Sequence, residues 1–327
     1  MSKKDCCTTH KTSVGGQALI EGIMMQGPKG AAMAVRTPDG TIDLEYKNVS
    51  HVRDKFKPLG WPLIRGFVNF IESMLFGYKC LMESAEKSGL EDLDADEENM
   101  SKLDRWINDH WGKTAMTIIS AVASVLGILL AFALFFYLPT ISVNFITNHV
   151  SFDLSSWRAT LEGIMRIIIF IIYLALVSRM KDIRRTFMYH GAEHKTIFCY
   201  EAGLELTVEN VRKQSRFHPR CGTSFMFVMI ILSVVLSSIV SILFPQLRDV
   251  TAVWMVVKLL MLPFVMGLGY EFIKYAGRHD NKLVKILSAP GLWMQRLTTV
   301  EPDDSMIEVG IAAFKAVITD NPEDDAI

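Results

Sequence analysis

The sequence predicts a mainly α-helical integral membrane protein. Its expected architecture is four transmembrane helices, an interfacial or re-entrant helix, and a small α+β cytoplasmic cap built from the N- and C-terminal segments. Three observations lead there. Half of the 327 residues are hydrophobic and only 21% are charged. The apolar residues fall into blocks of about 20, the number a helix needs to cross a bilayer at about 1.5 Å of rise per residue. The basic residues gather in the connections on one side of those blocks. The formal net charge of −1 argues against a nucleic-acid binder, which needs a basic face. Five cysteines in a chain this long do not make a disulfide scaffold.

Residues 1–60 form the N-terminal cytoplasmic segment. It opens on the polar run MSKKDCCTTHK, with no apolar stretch behind it, so no signal peptide is expected. The Gly-rich run VGGQALIEGIMMQGPKG lacks the GxxxxGK[ST] spacing of a phosphate loop, and its glycines are read as close packing and turns. Two strand-like runs then flank Pro38-Asp39-Gly40. Proline presets a turn and glycine accepts a positive φ, so a β-hairpin is expected there. Residues 61–81 carry Arg65 and Glu72 seven apart on one helical face, the pattern of an interfacial or re-entrant helix. Residues 82–113, with the acidic run Glu91 to Glu98, are read as a solvated linker or helix.

The first span is expected at 114–138 and the third at 224–244, both without charge. The second, 161–177, has Glu162 and Arg166 near its start, and the fourth, 250–270, contains Lys258 and Pro263. Residues 271–327 supply cytoplasmic helices: one entered at Ser288-Ala289-Pro290 and an amphipathic one over about 304–319. Orientation follows from charge. The connection 178–223 holds nine Lys and Arg residues, whereas 139–160 holds only Arg158 and 245–249 only Arg248. The basic connection and both termini are therefore expected in the cytoplasm. The cysteines would then sit in a reducing compartment, without disulfides.

Arg158, Glu162 and Arg166 are spaced by four and form a ladder on one helix face. Lys258 lies at a similar depth, and an unpaired charge there costs about 3 kcal/mol, so Glu162 is its expected partner. A buried pair joining two helices is favoured over an ion path.

The chemistry is expected in 178–223, within YHGAEHKTIFCYEAGLELTVENVRKQSRFHPRCGTS. His190 and His194 stand i, i+4, so their imidazoles would project from one face of a helix about 6 Å apart. That arrangement suits two ligands of zinc or another divalent metal. His218 and Cys221 make a second pair, and the chain topology returns both pairs to one membrane surface. His190-Gly-Ala-Glu193-His194 also reads as H-x-x-E-H, in which two histidines bind metal and the glutamate activates water. A distant carboxylate would complete that site, and Glu271 is available. Ligand count separates two readings. Four protein ligands, His190, His194, His218 and Cys221, would close the tetrahedron for a structural metal; two histidines and a carboxylate would leave a position open for catalysis. Two others stay open: histidines that only hydrogen-bond at the interface, and Cys221 as a nucleophile with His218 as base. Thr207 to Asn210 reads as a helix cap, which gives Glu209 a structural role.

The segments GGQALIEGIMMQGP, YHGAEHKTIFCYEAG, LTVENVR, HPRCGTSF, YEFIKYAGRH and EPDDSMIEVGIAAFKA together resemble the YqhQ-like bacterial membrane family, domain of unknown function DUF1385. The likeness runs from about Val14 to Val317. It implies a multi-pass cell-membrane protein, and the family carries the label of a predicted metal-dependent enzyme. It supplies neither a substrate nor established catalytic residues. Two functions follow as expectations. One is a metal-dependent hydrolase at the membrane–cytoplasm boundary, with Glu193 activating water and a lipid headgroup or membrane peptide as substrate. The other is a non-enzymatic accessory or scaffold protein that binds another membrane complex, for instance in protein insertion or quality control. The expected partners are the lipid bilayer and a membrane protein, with no nucleic acid. A transporter ranks third, because four spans with one charge pair offer little pore.

Overall fold

The computed structural model describes residues 11–49, 57–61, 64–89, 118, 121–149, 157–248, 250–279, 281–319, 321 and 324. Cys6, Cys7, the acidic run Glu91 to Glu98 and residues 114–117 of the expected first span lie outside them. The chain divides into two compact units. One comprises Met1–Gly89, Leu174–Met229 and Pro263–Ile327; the other comprises Leu90–Tyr173 and Ile230–Leu262.

The first unit is organised by a four-stranded antiparallel sheet in the order β1-β2-β3-β4. Its strands are β1 (Gly15–Leu19), β2 (Gly22–Gly27), β3 (Gly30–Arg36) and β4 (Ile42–Lys47). The β3–β4 turn is the expected hairpin, closed by Thr37 N–H donating to the Thr41 carbonyl at 3.0 Å, with Gly40 at φ +84°. β1 and β2 are an addition: the sequence reading left the Gly-rich run without strands. For β2 the reason is burial on both faces; β1 opens on exposed Gly15-Gly16 and has too few side chains to alternate. Ile23, Met25, Ala32 and Ala34 pack on one side of the sheet, while Leu19, Met24, Met33 and Val35 pack on the other. Strands covered on both sides read as unbroken apolar runs, without the alternation that marks a half-exposed strand.

Helices cover both faces. α1 (Ile64–Lys87) places Cys80 against Leu19, Met24 and Met33. The opposite face takes two later helices of the same unit, α4 (Lys181–Glu201) and α9 (Asp304–Val317), whose Tyr189, Ala192, Ile307 and Phe314 fill the largest core. The cap therefore draws on the middle of the chain as well as its two ends. α9 starts at Asp303, whose side chain accepts the Met306 N–H at 3.0 Å. It is also held close to α4 by Gly310, where a Cβ would lie 2.9 Å from the Thr196 hydroxyl.

Four helices are long and apolar enough to cross a bilayer: Ala121–His149, Arg158–Val177, Phe225–Leu243 and Thr251–Ala276. They belong to α2 (Ala121–His149), α3 (Arg158–Val177), α6 (Gly222–Leu243) and α7 (Thr251–Arg278). Leu126, Ile128, Ile242 and Leu260 on these helices are all more than half exposed, a pattern suited to lipid and costly in water. Two bounds differ from expectation. α7 runs on past 270, so Glu271 lies inside it. α2 continues beyond Leu138, through Pro139, to His149. Proline there cannot donate to the carbonyl four residues back, that of Phe135. A π-helical turn, Ala133–Tyr137, absorbs the mismatch, and the Phe135 oxygen accepts Arg166 Nε at 2.9 Å. The proline that reads as a stop is thus accommodated by an arginine on a neighbouring helix.

Within the second unit the expected charge pair is present. Lys258 Nζ donates to the Glu162 carboxylate and, at 2.7 Å, to the Thr140 hydroxyl. Trp254 Nε1 donates to the same carboxylate at 3.3 Å. α3 and α6 meet closely at Gly163, where a Cβ would fall 2.3 Å from a Val234 methyl.

The remaining helices are α5 (Val208–Arg212), which Thr207 caps as expected, and α8 (Lys282–Thr298). α8 begins eight residues before Pro290, so that proline is interior and does not mark the entry; Asn281 caps the helix by accepting the Val284 N–H at 2.9 Å.

Candidate metal centre

The centre is built on α4. The second hydrophobic helix does not simply continue into it: α3 stops at Val177, and Met180 is extended (φ −67°, ψ 135°) before a new helix starts at Lys181. The i, i+4 spacing still puts His190 and His194 on one face, with ring centroids 4.4 Å apart. The segment after α5 then brings in Cys221. One donor atom from each of His190, His194 and Cys221 lies within 4.8 Å of the other two.

Both rings are oriented by main-chain carbonyls. His190 Nδ1 contacts the Thr298 oxygen at 2.8 Å, and His194 Nδ1 contacts the Arg216 oxygen at 2.6 Å. A carbonyl only accepts, so each Nδ1 carries the proton and each Nε2 presents its lone pair. His190 Nε2 sits 3.2 Å from Cys221 Sγ. His194 Nε2 is buried and has no hydrogen-bond partner of good geometry. Burial, with His190 beside it, holds His194 below its ordinary pKa and keeps it neutral. A neutral imidazole whose other nitrogen is fixed by a backbone oxygen is the form that binds metal.

Two features of the fold make this geometry possible. Gly191 lets α4 approach the 298–302 segment, since a Cβ there would fall 2.1 Å from the Val300 carbonyl. Val300 N–H donates to the Phe187 carbonyl at 2.9 Å, which seats the Thr298 oxygen over His190. Gln295, fully buried, clamps the loop carrying Arg216 and Cys221. Its Oε1 accepts the His218 N–H at 2.8 Å and its Nε2 donates to the His218 carbonyl at 2.6 Å.

Glu193 stands one residue from His194 and is 5% exposed. Desolvation raises its carboxyl to about 7, opposed by nearby His190 and reinforced by the Cys221 sulfur. The Gly16 N–H is its backbone hydrogen-bond donor, and its Oε2 is buried without a partner. Gly16 of β1 has to be glycine for this contact, because a Cβ would lie 3.0 Å from Glu193 Cδ and 2.8 Å from the Met24 oxygen.

The other expected ligands are elsewhere. His218 Nε2 faces Glu201 Oε2 at 3.6 Å, and its ring centroid is 5.6 Å from that of His194. Glu201 also takes the Arg220 guanidinium and the Thr12 N–H at 3.0 Å. Burial alone would raise Glu201, but His218 and Arg220 hold it below the usual carboxylate range. Glu271 accepts two hydrogen bonds from Arg65, at 2.7 and 2.6 Å, and is not among the clustered groups. Cys221 has His190, not His218, as its nearest imidazole. Sequence reasoning missed Gly16, Thr298 and Gln295; only the first lay in a segment that drew attention.

A profile of the family described as "Protein of unknown function (DUF1385)" matches residues 61–320. The chain is 33% identical over 317 residues to the "Uncharacterized protein YqhQ" of Bacillus subtilis (strain 168), covering 94% of each chain. No solved structure matches.

Proposed function

The chain belongs to the DUF1385 family, and from that premise and the geometry of α4 we propose that it is a membrane-bound, metal-dependent hydrolase working at the cytoplasmic bilayer surface. One observation carries the reading: His190 Nε2, His194 Nε2 and Cys221 Sγ converge while both Nδ1 protons are committed to backbone oxygens. Zinc, or another divalent ion of similar preference, fits two imidazoles and a thiolate. Three protein ligands leave a position for water or substrate, unlike the closed four-ligand site that His218 would have completed.

When bound, such an ion supplies a Lewis acid and activates water near neutral pH. The chain's own groups do the rest. Thr298 and Arg216 hold the histidines in the binding tautomer. Glu193, with its pKa near 7, takes a proton from the attacking water and returns it to the leaving group. The Gly16 N–H fixes one edge of that carboxylate.

A cysteine nucleophile is the rival with the most geometry behind it, since His190 and Cys221 make a dyad oriented by Thr298. It gives no task to His194, whose buried Nε2 points at the same sulfur. The non-enzymatic accessory role rests on the size of the cap and on its apolar terminal helix, and that helix spends its apolar face in the core of the first unit. Elemental analysis of the detergent-purified protein separates these readings. The expected result is about one zinc per chain, lost in His190→Ala and His194→Ala and kept in His218→Ala and Glu271→Gln. Zinc should also shield Cys221 from iodoacetamide. A metal-free wild type whose Cys221 alkylates rapidly would sink the metal reading and leave the dyad.

A further inference from the structure

β1 is an edge strand. It pairs with β2, and among the described residues no strand pairs with its other side. An edge of this kind can take an extended chain as a further strand. Backbone groups alternate between the two sides of a strand. The Gly16 N–H turns to Glu193 and away from β2, so the Gly16 carbonyl and both backbone groups of Ala18 turn the same way. Gly15 and Gly16 are exposed, and a Cβ on Gly15 would meet nothing within 4 Å, so the start of this edge is open. Beside it, on the α1 side of the sheet, lies a cavity of about 470 Å³ lined by Gln17, Met24 and Gln26 with Ser73 and Phe76 of α1. Asp324 is the only charged residue on the described lining, whose other polar side chains are neutral amides and hydroxyls.

We propose that the free edge of β1 binds an extended peptide, and that this peptide is the substrate. The inference rests on the hydrolase reading and names its substrate class. The edge itself orders the complex. Glu193 already holds the Gly16 N–H, so an added strand pairs with the Gly16 carbonyl and with Ala18 and leaves the ladder at Glu193. The carboxylate oxygen that has no partner, Oε2, belongs to the residue at which the peptide departs. One face of the added strand looks into the cavity, whose amides and hydroxyls suit uncharged side chains. An anionic headgroup would find no cation on that lining. Hydrolysis adds the hydroxyl of water to the amide carbon, breaks the C–N bond and gives the remaining proton to the departing nitrogen, with Glu193 carrying that proton.

The test uses the full-length protein in a neutral maltoside detergent, with the tryptic peptides of unfolded β-casein as probe. Glu193→Gln, which should keep its zinc without cutting, should retain a subset of these peptides in native mass spectrometry. The tightest-bound peptide is then remade with single backbone N-methyl groups, each of which removes one N–H and leaves every side chain in place. Methylation at two positions two residues apart should weaken binding by about tenfold or more, and methylation of the residue between them should not, because the Gly16 and Ala18 carbonyls take alternate N–H groups. Gly15→Trp, an exposed change that fills the cavity mouth, should weaken the same peptide by about tenfold or more at unchanged zinc content. No retained peptide, binding indifferent to N-methylation at every position, or full affinity in Gly15→Trp overturns the edge site. If zinc is bound and p-nitrophenyl acetate is hydrolysed while no peptide is retained, this inference fails alone. If peptides bind in the alternating pattern and the zinc-loaded wild type leaves them uncut, the edge site stands and the hydrolase reading fails.

Discussion

Glu193 is the residue whose environment asks most for an explanation. A buried acceptor without a partner costs about 1–3 kcal/mol, and more if it is charged. Its Oε2 is such an atom, and Gly16 gives up a side chain to let the carboxylate in. Structural necessity does not account for this, because an apolar residue would fill the space without the desolvation. The proposed role, a proton carrier beside a bound metal, does account for it. The expected outcome for Glu193→Gln is therefore split. Zinc stoichiometry should match wild type, since the amide replaces a neighbour of the ligands and not a ligand. Turnover of any ester that the zinc-loaded wild type hydrolyses should fall by about 10²–10⁴, the usual worth of a positioned general base. Loss of zinc from Glu193→Gln would make Glu193 a fourth ligand and close the site.

At the scale of elements, α9 shows how local chemistry supports the centre. The helix packs on α4 from behind, and its N-terminus depends on Asp303. Burial would raise that carboxyl, but the Ser305 hydroxyl and the Met306 N–H pull it below its ordinary value. A pKa lowered on folding adds stability above the unfolded value near 4, and that stability is lost as pH falls through the folded value. Asp303→Ala should cost about 1 kcal/mol near neutrality. Asp303→Asn should keep most of the cap while losing less stability than wild type as the pH falls below about 4. Wild-type stability in Asp303→Ala, or acid melts that superimpose for wild type and Asp303→Asn, would refute the account. Elements like this one were legible in the sequence because their signals are local: cap residues, an i, i+3, i+4 stripe, blocks of apolar residues. What stayed hidden depends on partners far along the chain. β2 gave no alternating signal because both its faces are covered, and β1 gave none because it opens on Gly15-Gly16. Pro139 read as a helix end because the arginine that takes up its orphaned carbonyl is 27 residues away in sequence, at 166. For the centre, the i, i+4 histidines and Cys221 were visible as residue types. That Cys221 and not Glu271 stands with the histidines was not, because Arg65, 206 positions from Glu271, holds that carboxylate.

For the molecule as a whole, the proposed chemistry depends on which side of the bilayer holds α4. A thiolate ligand needs a reducing compartment, which the cytoplasm provides and the exterior does not. Charge gives the expected orientation. The nine basic residues between 178 and 223 face only Arg158 and Arg248 in the two opposite connections. Arg158 is itself drawn toward Glu162, an i+4 neighbour at 3.9 Å, which leaves still less free positive charge on that side. α1 fits the same arrangement: Ile64, Ile71, Leu75, Tyr78 and Met82 form an exposed apolar stripe, as expected of a helix lying in the interface, while Gly66 packs on Tyr270 behind it. Reporter fusions test the orientation directly. A fluorescent protein that matures only in the cytoplasm should be bright when inserted after Glu205, in the exposed turn that follows α4, and when joined to the C-terminus. Alkaline phosphatase, active only outside, should be active when inserted within 150–156 and inactive at the other two positions. The reverse pattern would expose Cys221 to an oxidising milieu, and the proposed metal centre and its general base would both lose their premise.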